Sequence, residues 1–186
     1  MDSPILFDPS KHAHLIPSLA FVQAECITSP PYTVATFIPP LSTPRMEAWW
    51  IARAAEVTAG TRHIIMQMAK DSMTGIEEVA GYVMLDMPQS ETVPFRGGVE
   101  KLLVSPRWRQ KGIARRVMEM LEEVALSENR GLLSLDTTKG SPAEFIYPKL
   151  GYTKVNYFSI GEIPRMQISP VDGSLLDEVL FHRDLR

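Results

Sequence analysis

"VEKLLVSPRWRQKGIARRVMEMLEEVALSENRGLLSLD", Val99 to Asp136, carries the change of pattern that decides the fold. The apolar run "VEKLLVSP" comes first and a basic loop around one glycine, "RWRQKG", follows. Ile113, Val117, Met120, Leu121 and Val124 then recur at helical spacing, with Gly131 as the stop. "LLSLD" closes the unit as a second short strand. Strand 99–104, helix 112–128 and strand 132–136 predict a parallel pair joined by a crossover helix, whose N-terminus lies at one end of the sheet. Such a terminus exposes N–H groups without intrahelical partners and carries partial positive charge. Cations in the first turn are therefore unfavourable unless an anion joins them, yet Arg109, Lys111, Arg115 and Arg116 crowd it. Gly112 and Ala114 keep side chains away from the backbone there, and the arrangement suits a pyrophosphate. "TTKGS", 137–141, lacks the leading glycine of a Walker loop, and no G-x-G-x-x-G is present.

Outward from this unit, the chain alternates between the two periodicities. "KHAHLIPSLAFVQAEC" has helical apolar spacing that Pro17 is expected to break, and "ITSPPYTVATFIPPLSTP" reads as a proline-punctuated connector. "TPRMEAWWIARAAEVTAG" reads as a helix capped at Thr43 and ended at Gly60, with Met46, Trp49, Trp50, Ala54 and Val57 on its apolar side. "RHIIMQMAK" and "EVAGYVMLDM" flank the turn "DSMTG" as a hairpin. Past the central unit come a short helix, "SPAEFIYPKLG", and two strands, "GYTKVNYFSIG" and "DEVLFHRDL". This order predicts an α/β (α+β) fold, a mixed, largely antiparallel twisted sheet of six to seven strands with helices on both faces. At 186 residues, 1–186 is expected to form one domain.

Composition narrows the function. A net charge of -3 argues against a nucleic-acid partner, so the basic loop needs a local explanation. No apolar run is long enough for a bilayer and no signal layout opens the chain, so no membrane partner is expected. Cys26 is the only cysteine, which excludes an internal disulfide and fits a reducing, cytoplasmic setting.

From Val99 to Tyr152 the chain resembles the GCN5-related N-acetyltransferase (GNAT) family: strand "VEKLLV", the R-x-x-G-x-A loop "RQKGIA", the apolar helix, "LLSLD" and "YPKLGY" follow that family's acyl-CoA-binding core in order and spacing. "RGLLSLDTTKGSPAE" is also similar to tabtoxin-resistance-type acetyltransferases, which modify a small amino-acid-like toxin. The resemblance implies acetyl-CoA as co-substrate, no metal, and a monomer or homodimer. It implies an N-acetyltransferase acting on a small-molecule amine acceptor by direct transfer in a ternary complex. The alternatives are a protein or peptide N-acetyltransferase and a non-catalytic acyl-CoA-binding module.

It also implies roles. The backbone of Arg109, Gln110, Lys111, Gly112, Ile113, Ala114 and Arg115 would hold the pyrophosphate, and Leu102, Leu103 and Val104 would bind the pantetheine arm as an added strand. The amide of Leu102 would face the acetyl oxygen, where a fixed donor stabilises a developing oxyanion. A protonated amine cannot attack, so something must take its proton, directly or through water. Glu100 is expected on the same strand face as Leu102 and Val104, and Asp136 at the end of the next strand. Gly98 stands where the tabtoxin-resistance type places its base. Tyr147 falls where the family's "Y-x-K-x-G-F/Y" segment puts its general acid; a phenol at ~10 is a weaker acid than a thiol at ~8.5, so positioning must supply the advantage. Pro148 should disturb this short helix, and Gly140 replaces an asparagine that touches the cofactor in many relatives.

The remaining candidates read as structural. His12 and His14 form an H-x-H pair without a third ligand at metal spacing, and His63 and His182 stand alone. Cys26 reads as packing. Trp49 and Trp50 point to different sides of one helix, one to the core and the other toward the acceptor pocket.

Overall fold

The computed structural model describes residues 2–155 and 166–186. A sheet runs in the order β1-β2-β3-β4-β5-β8-β6, with β7 paired to β8. Its strands are β1 (Ile5–Leu6), β2 (Arg62–Lys70), β3 (Glu77–Asp86), β4 (Arg96–Val104), β5 (Leu132–Thr138), β6 (Thr153–Val155), β7 (Met166–Ile168) and β8 (Leu175–Asp184). The β4–β5 pair is parallel and the other pairings are antiparallel. The helices are α1 (Pro9–His12), α2 (Ile16–Thr28), α3 (Thr43–Thr58), α4 (Ile113–Ser127) and α5 (Pro142–Ile146). The expected mixed, mostly antiparallel sheet is present, and two short strands raise it to eight. Residues 156–161 of the expected strand "GYTKVNYFSIG" lie outside the described residues. Among the described residues, no helix is long and apolar enough to cross a membrane.

Each sheet face has its own core. Ile113, Val117, Met118, Leu121 and Ala125 of α4 are buried against Ile65, Val83, Leu85, Val99, Leu133 and Leu135. On the other face, Leu19, Val22 and Cys26 of α2 and Met46, Trp50 and Ala54 of α3 are buried against Ile64, Met66, Tyr82, Met84 and Leu103. Helix α4 keeps a wider apolar stripe than expected, because Met118 and Ala125 are buried while Met120 and Val124 are only partly so.

Punctuation differs from expectation in four places, each for a local reason. Pro17 starts α2, sitting in the first turn where its missing N–H costs nothing. Ser42 precedes α3, so Thr43 is its first residue. Helix α4 stops at Ser127, with Asn129 in the left-handed region at φ 58. Pro148 does not distort α5; the chain tightens there into a 3₁₀ turn over Tyr147–Leu150, which Pro148 helps to open.

The largest correction concerns β4. Tyr82 pairs with Leu103 and Met84 with Glu100, so one extra residue is inserted between them. Lys101 absorbs it at φ 53. A bulge breaks strict alternation: Leu102 and Val104 pack toward α4, whereas Glu100 lies with its partner Met84 on the α2/α3 face. Glu100 is therefore on the opposite face from Leu102 and Val104, not the same one.

Candidate active site

The parallel pair that should carry the site is incomplete. Strands β4 and β5 are in register only at Arg96–Leu132, Gly97–Leu133 and Gly98–Ser134, and then separate. Leu103 pairs with Tyr82, and the Ser105 N–H donates to the Ala80 carbonyl at 2.9 Å. Antiparallel alternation turns the peptide groups of Leu102 and Val104 to the opposite edge, toward the gap beside β5. A chain entering this gap would find strand-like partners. The Val104 carbonyl is already engaged, accepting from the Cys26 thiol at 3.4 Å and from Arg109 Nε at 3.3 Å.

At the end of β4 the backbone turns sharply, with Gln110 at φ 61 and Gly112 at φ 77. Helix α4 then begins with Gly112 as a cap that has no side-chain hydrogen bond, and no acidic residue in its first turn. The Arg116 N–H is the first to find a helical partner, the Gly112 carbonyl at 3.2 Å, so the amides before it face outward. A Cβ at Gly112 would meet nothing within 4 Å, so the approach is open. Gly81 sets how close this helix comes to the sheet: a Cβ there would lie 2.8 Å from the Leu103 oxygen and 3.0 Å from Ile113.

The basic side chains are less available than their density suggested. The Arg109 guanidinium also donates to the Pro30 carbonyl at 2.6 Å, bracing the loop against the connector after α2. Lys111 lies over the Trp108 ring at 4.2 Å, Arg115 approaches Glu119 at 3.9 Å, and Arg116 donates to the Asp2 carbonyl at 3.2 Å. Main-chain amides and the helix dipole are thus the better part of an anion seat here. Burial pushes the Cys26 thiol up, with Arg109 only partly opposing it, which fits packing.

The proton-transfer candidates lie on either side of the gap. Glu100 Oε2 accepts from Arg62 at 2.8 Å, and the same buried guanidinium reaches Glu56 at 2.5 Å and Asp86 at 2.9 Å. Burial pushes the Asp86 carboxyl up against the opposing pull of Arg62, with Glu100 and Glu56 adding to the rise. Asp136 is exposed on the same face as Glu100, since Leu133 and Leu135 face α4; it lies within β5, which continues to Thr138. Tyr147 is buried on the α4 side, 5.8 Å from the Tyr152 ring and 5.5 Å from Phe181. Burial, and secondarily the charge of Asp136, holds its phenol well above the ordinary tyrosine range. Among the described residues, no cluster of three metal-ligating side chains occurs.

A GNAT-type family model, described as "Acetyltransferase (GNAT) family", matches residues 26–152, which span both the sheet opening and the loop. The chain belongs to this family. As a GNAT protein it shares its fold with solved structures at low identity. An N-acetyltransferase from Staphylococcus aureus superposes with a TM-score of 0.68 at 16% identity, covering 100% of each chain. A ribosomal-protein-alanine N-acetyltransferase from Brucella melitensis gives 0.68 at 16%, covering 97% of this chain and 99% of its own. A Salmonella typhimurium protein solved with its cofactor acetyl-CoA gives 0.64 at 15%, covering 100% and 95%. This chain is thus an acetyltransferase of the GNAT class.

Three residues near these candidates were not singled out from the sequence. Arg62 stood at a strand start, where an arginine is ordinary. Lys101 stood inside an apolar run, and nothing in "VEKLLV" marks the bulge. Thr36 lies in the connector between α2 and α3, beside a cleft of about 340 Å³ lined by Val34, Thr36, Phe37, Ile38, Lys101, Gln167 and Ile168. Of the two tryptophans Trp50 is core, and half-buried Trp49 lies 6.1 Å from the ring of Phe37, a lining residue of that cleft.

Proposed function

We propose that this chain is an acetyl-CoA-dependent N-acetyltransferase whose acceptor is a small amine or amino-acid-like compound, with direct transfer in a ternary complex. The observation that carries the reading is the opening of β4 from β5 beyond Gly98 and Ser134, with the carboxylates of Glu100 and Asp136 on one face and the phenol of Tyr147 on the other. Acetyl-CoA would supply the thioester whose acetyl carbon the amine attacks. The outward amides from Arg109 to Arg115 suit its pyrophosphate, and the peptide groups of Leu102 with the Val104 N–H suit the pantetheine arm, whereas Leu103, expected to join them, turns its own groups to β3.

On this reading the amine comes from the α2/α3 side. Glu100 or Asp136 takes its proton, directly or through water, and the Leu102 N–H steadies the developing negative charge on the acetyl oxygen. Tyr147 is protonated when the bond breaks and donates its phenol proton to the departing sulfur. The proton taken from the amine then restores the phenol through water, and because burial weakens this acid its placement must supply the advantage. A donor and an acceptor on opposite sides of one gap suit a single-step transfer with no enzyme-bound acyl group. The small acceptor is favoured by the size of the cleft beside Lys101 and by the resemblance of 130–144 to tabtoxin-resistance-type enzymes.

Thermal unfolding with saturating acetyl-CoA, ATP and NAD tests the reading. A ligand binding only the folded state stabilises by about 2.7 kcal/mol at a hundredfold excess over its Kd. A rise with acetyl-CoA alone, followed by thiol release in a screen of small amines, is the expected result. No rise with acetyl-CoA would overturn it.

A further inference from the structure

The cleft of about 340 Å³ is lined by the connector between α2 and α3, the bulge of β4, and β7. Two of its lining residues hold unusual backbone. Lys101 sits at φ 53 and Thr36 at φ 75, where a β-branched residue is a true outlier. The Phe37 N–H donates to the Ala35 carbonyl at 2.9 Å across Thr36, making a γ-turn of the strained, positive-φ kind.

That turn is held from behind. The buried Trp50 indole donates to Gln23 Oε1 at 2.9 Å, and Gln23 Nε2 donates to the same Ala35 carbonyl at 2.9 Å. Gln23 and Trp50 are both fully enclosed, so the chain is a fixed support rather than a surface accident. Strain kept in place by such surroundings concentrates at ligand sites.

The bulge brings a cation to the same cleft. Lys101 is half-buried, and among the described residues no carboxylate lies within ion-pair distance of its ammonium. The fields of Glu100 and Asp136 reach it, and those of Arg62 and Arg53 oppose them. Around it the lining is apolar, apart from Thr36 and Gln167, and Gln167 already donates to Glu178. A half-buried cation beside a hydroxyl-bearing strained turn, in a mostly apolar cleft, is a site for an oxyanion of modest size.

We infer that Lys101 and Thr36 form an acid-recognising subsite, so that the acceptor amine of this acetyltransferase also carries a carboxylate or similar oxyanion. This rests on the small-amine reading above and names its substrate class. Lys101 contributes charge and Thr36 a hydroxyl donor, and neither takes part in proton transfer. Glu100, held by Arg62, and Asp136 put negative charge on the same face as the cleft, so a zwitterion would meet opposite charges at its two ends.

The test pairs free L-amino acids with their methyl esters as acceptors, read by coenzyme A thiol release. The wild type should favour the acids in kcat/KM by about tenfold or more, the scale of a charge-assisted hydrogen bond. In K101M, the KM for acids should rise by about the same factor, with kcat, the esters and the acetyl-CoA-induced thermal shift unchanged. K101R should restore the preference, and T36A should lose part of it. A second measurement needs no variant: short aliphatic carboxylates should compete with the acceptor in the wild type, and the corresponding primary amides should not.

Equal use of acids and esters, or an acid preference untouched in K101M, would overturn the subsite while leaving the small-amine reading standing. No turnover in either series, with the acetyl-CoA shift intact, would overturn both.

Discussion

The two faces of the sheet are built on different principles. On the α4 face, repeating apolar residues meet a flat array of strand residues, and the anion-seating turn follows from where the helix begins. On the α2/α3 face, burial is interrupted by polar groups with individual partners: Arg62 among three carboxylates, and Gln23 between Trp50 and Ala35. The first face is organised by periodicity and is cheap to specify. The second holds strained backbone at Thr36 and Lys101, and is specified by individual contacts. The proposed cofactor seat rests on the first, and the proposed acid-recognising subsite on the second.

The contrast can be broken most forcefully at Arg62. R62M would leave Asp86 and Glu100 without their counter-charge and Glu56 with Arg53 alone, and the expected loss is about 3 kcal/mol of folding free energy by urea unfolding. A loss under about 1 kcal/mol would show that this face does not depend on its polar cluster. Next comes Y147F, on the α4 side of the gap. Turnover should fall by about a hundredfold, equivalent to ~2.7 kcal/mol of barrier, with acetyl-CoA affinity retained. An unchanged turnover would remove Tyr147 from the chemistry.

G81A sharpens the comparison from the periodic side. Its Cβ would press on the Leu103 carbonyl and Ile113, so a cost of about 1–3 kcal/mol is expected. Weaker acetyl-CoA binding should accompany it, measured by calorimetry, because the start of α4 must shift. Stability loss without a change in affinity would separate the helix position from the anion seat.

The smallest effect is in pH. Desolvation lowers the pKa of Lys101; Glu100 of β4 and Asp136 of β5 act to raise it, and Arg62 of β2 and Arg53 of α3 to lower it further. Its charge is present below that pKa and is lost as pH rises through it, earlier than for a solvated lysine. The KM for acid acceptors should therefore climb on the alkaline side, with no such climb for esters. In K101R the climb should move out of the accessible range, because a guanidinium stays charged.

What the sequence showed divides along the same line. Helix α4, its loop and the strands around it were legible because Ile113, Val117 and Leu121 repeat at 3.6 residues and strands carry their own apolar signature. The turn "DSMTG" was legible too, with the Asp71 carbonyl accepting from the Gly75 N–H at 2.9 Å. The bulge was not. A single inserted residue leaves no compositional trace, and it moved Glu100 to the face opposite Leu102. Thr36 was equally silent, since β-branched residues normally avoid positive φ and its conformation is imposed by Gln23, thirteen residues earlier in the chain. Density of charge misled in the loop: four basic residues suggested an electrostatic seat, but Arg109 serves as a brace between the loop and the connector.

The indole of Trp50 lies at the far end of the hydrogen-bonded line that ends at Ala35, and it does not itself line the cleft. Any acceptor that flattens or tightens the turn at Thr36 must alter how Ala35 shares its carbonyl, and the change is passed to Gln23 and then to the indole proton. In a protein with three tryptophans, that proton should give a separate, slowly exchanging resonance. If the proposed subsite takes the acceptor, that resonance is its gauge of occupancy, readable in a single spectrum without a label in the site.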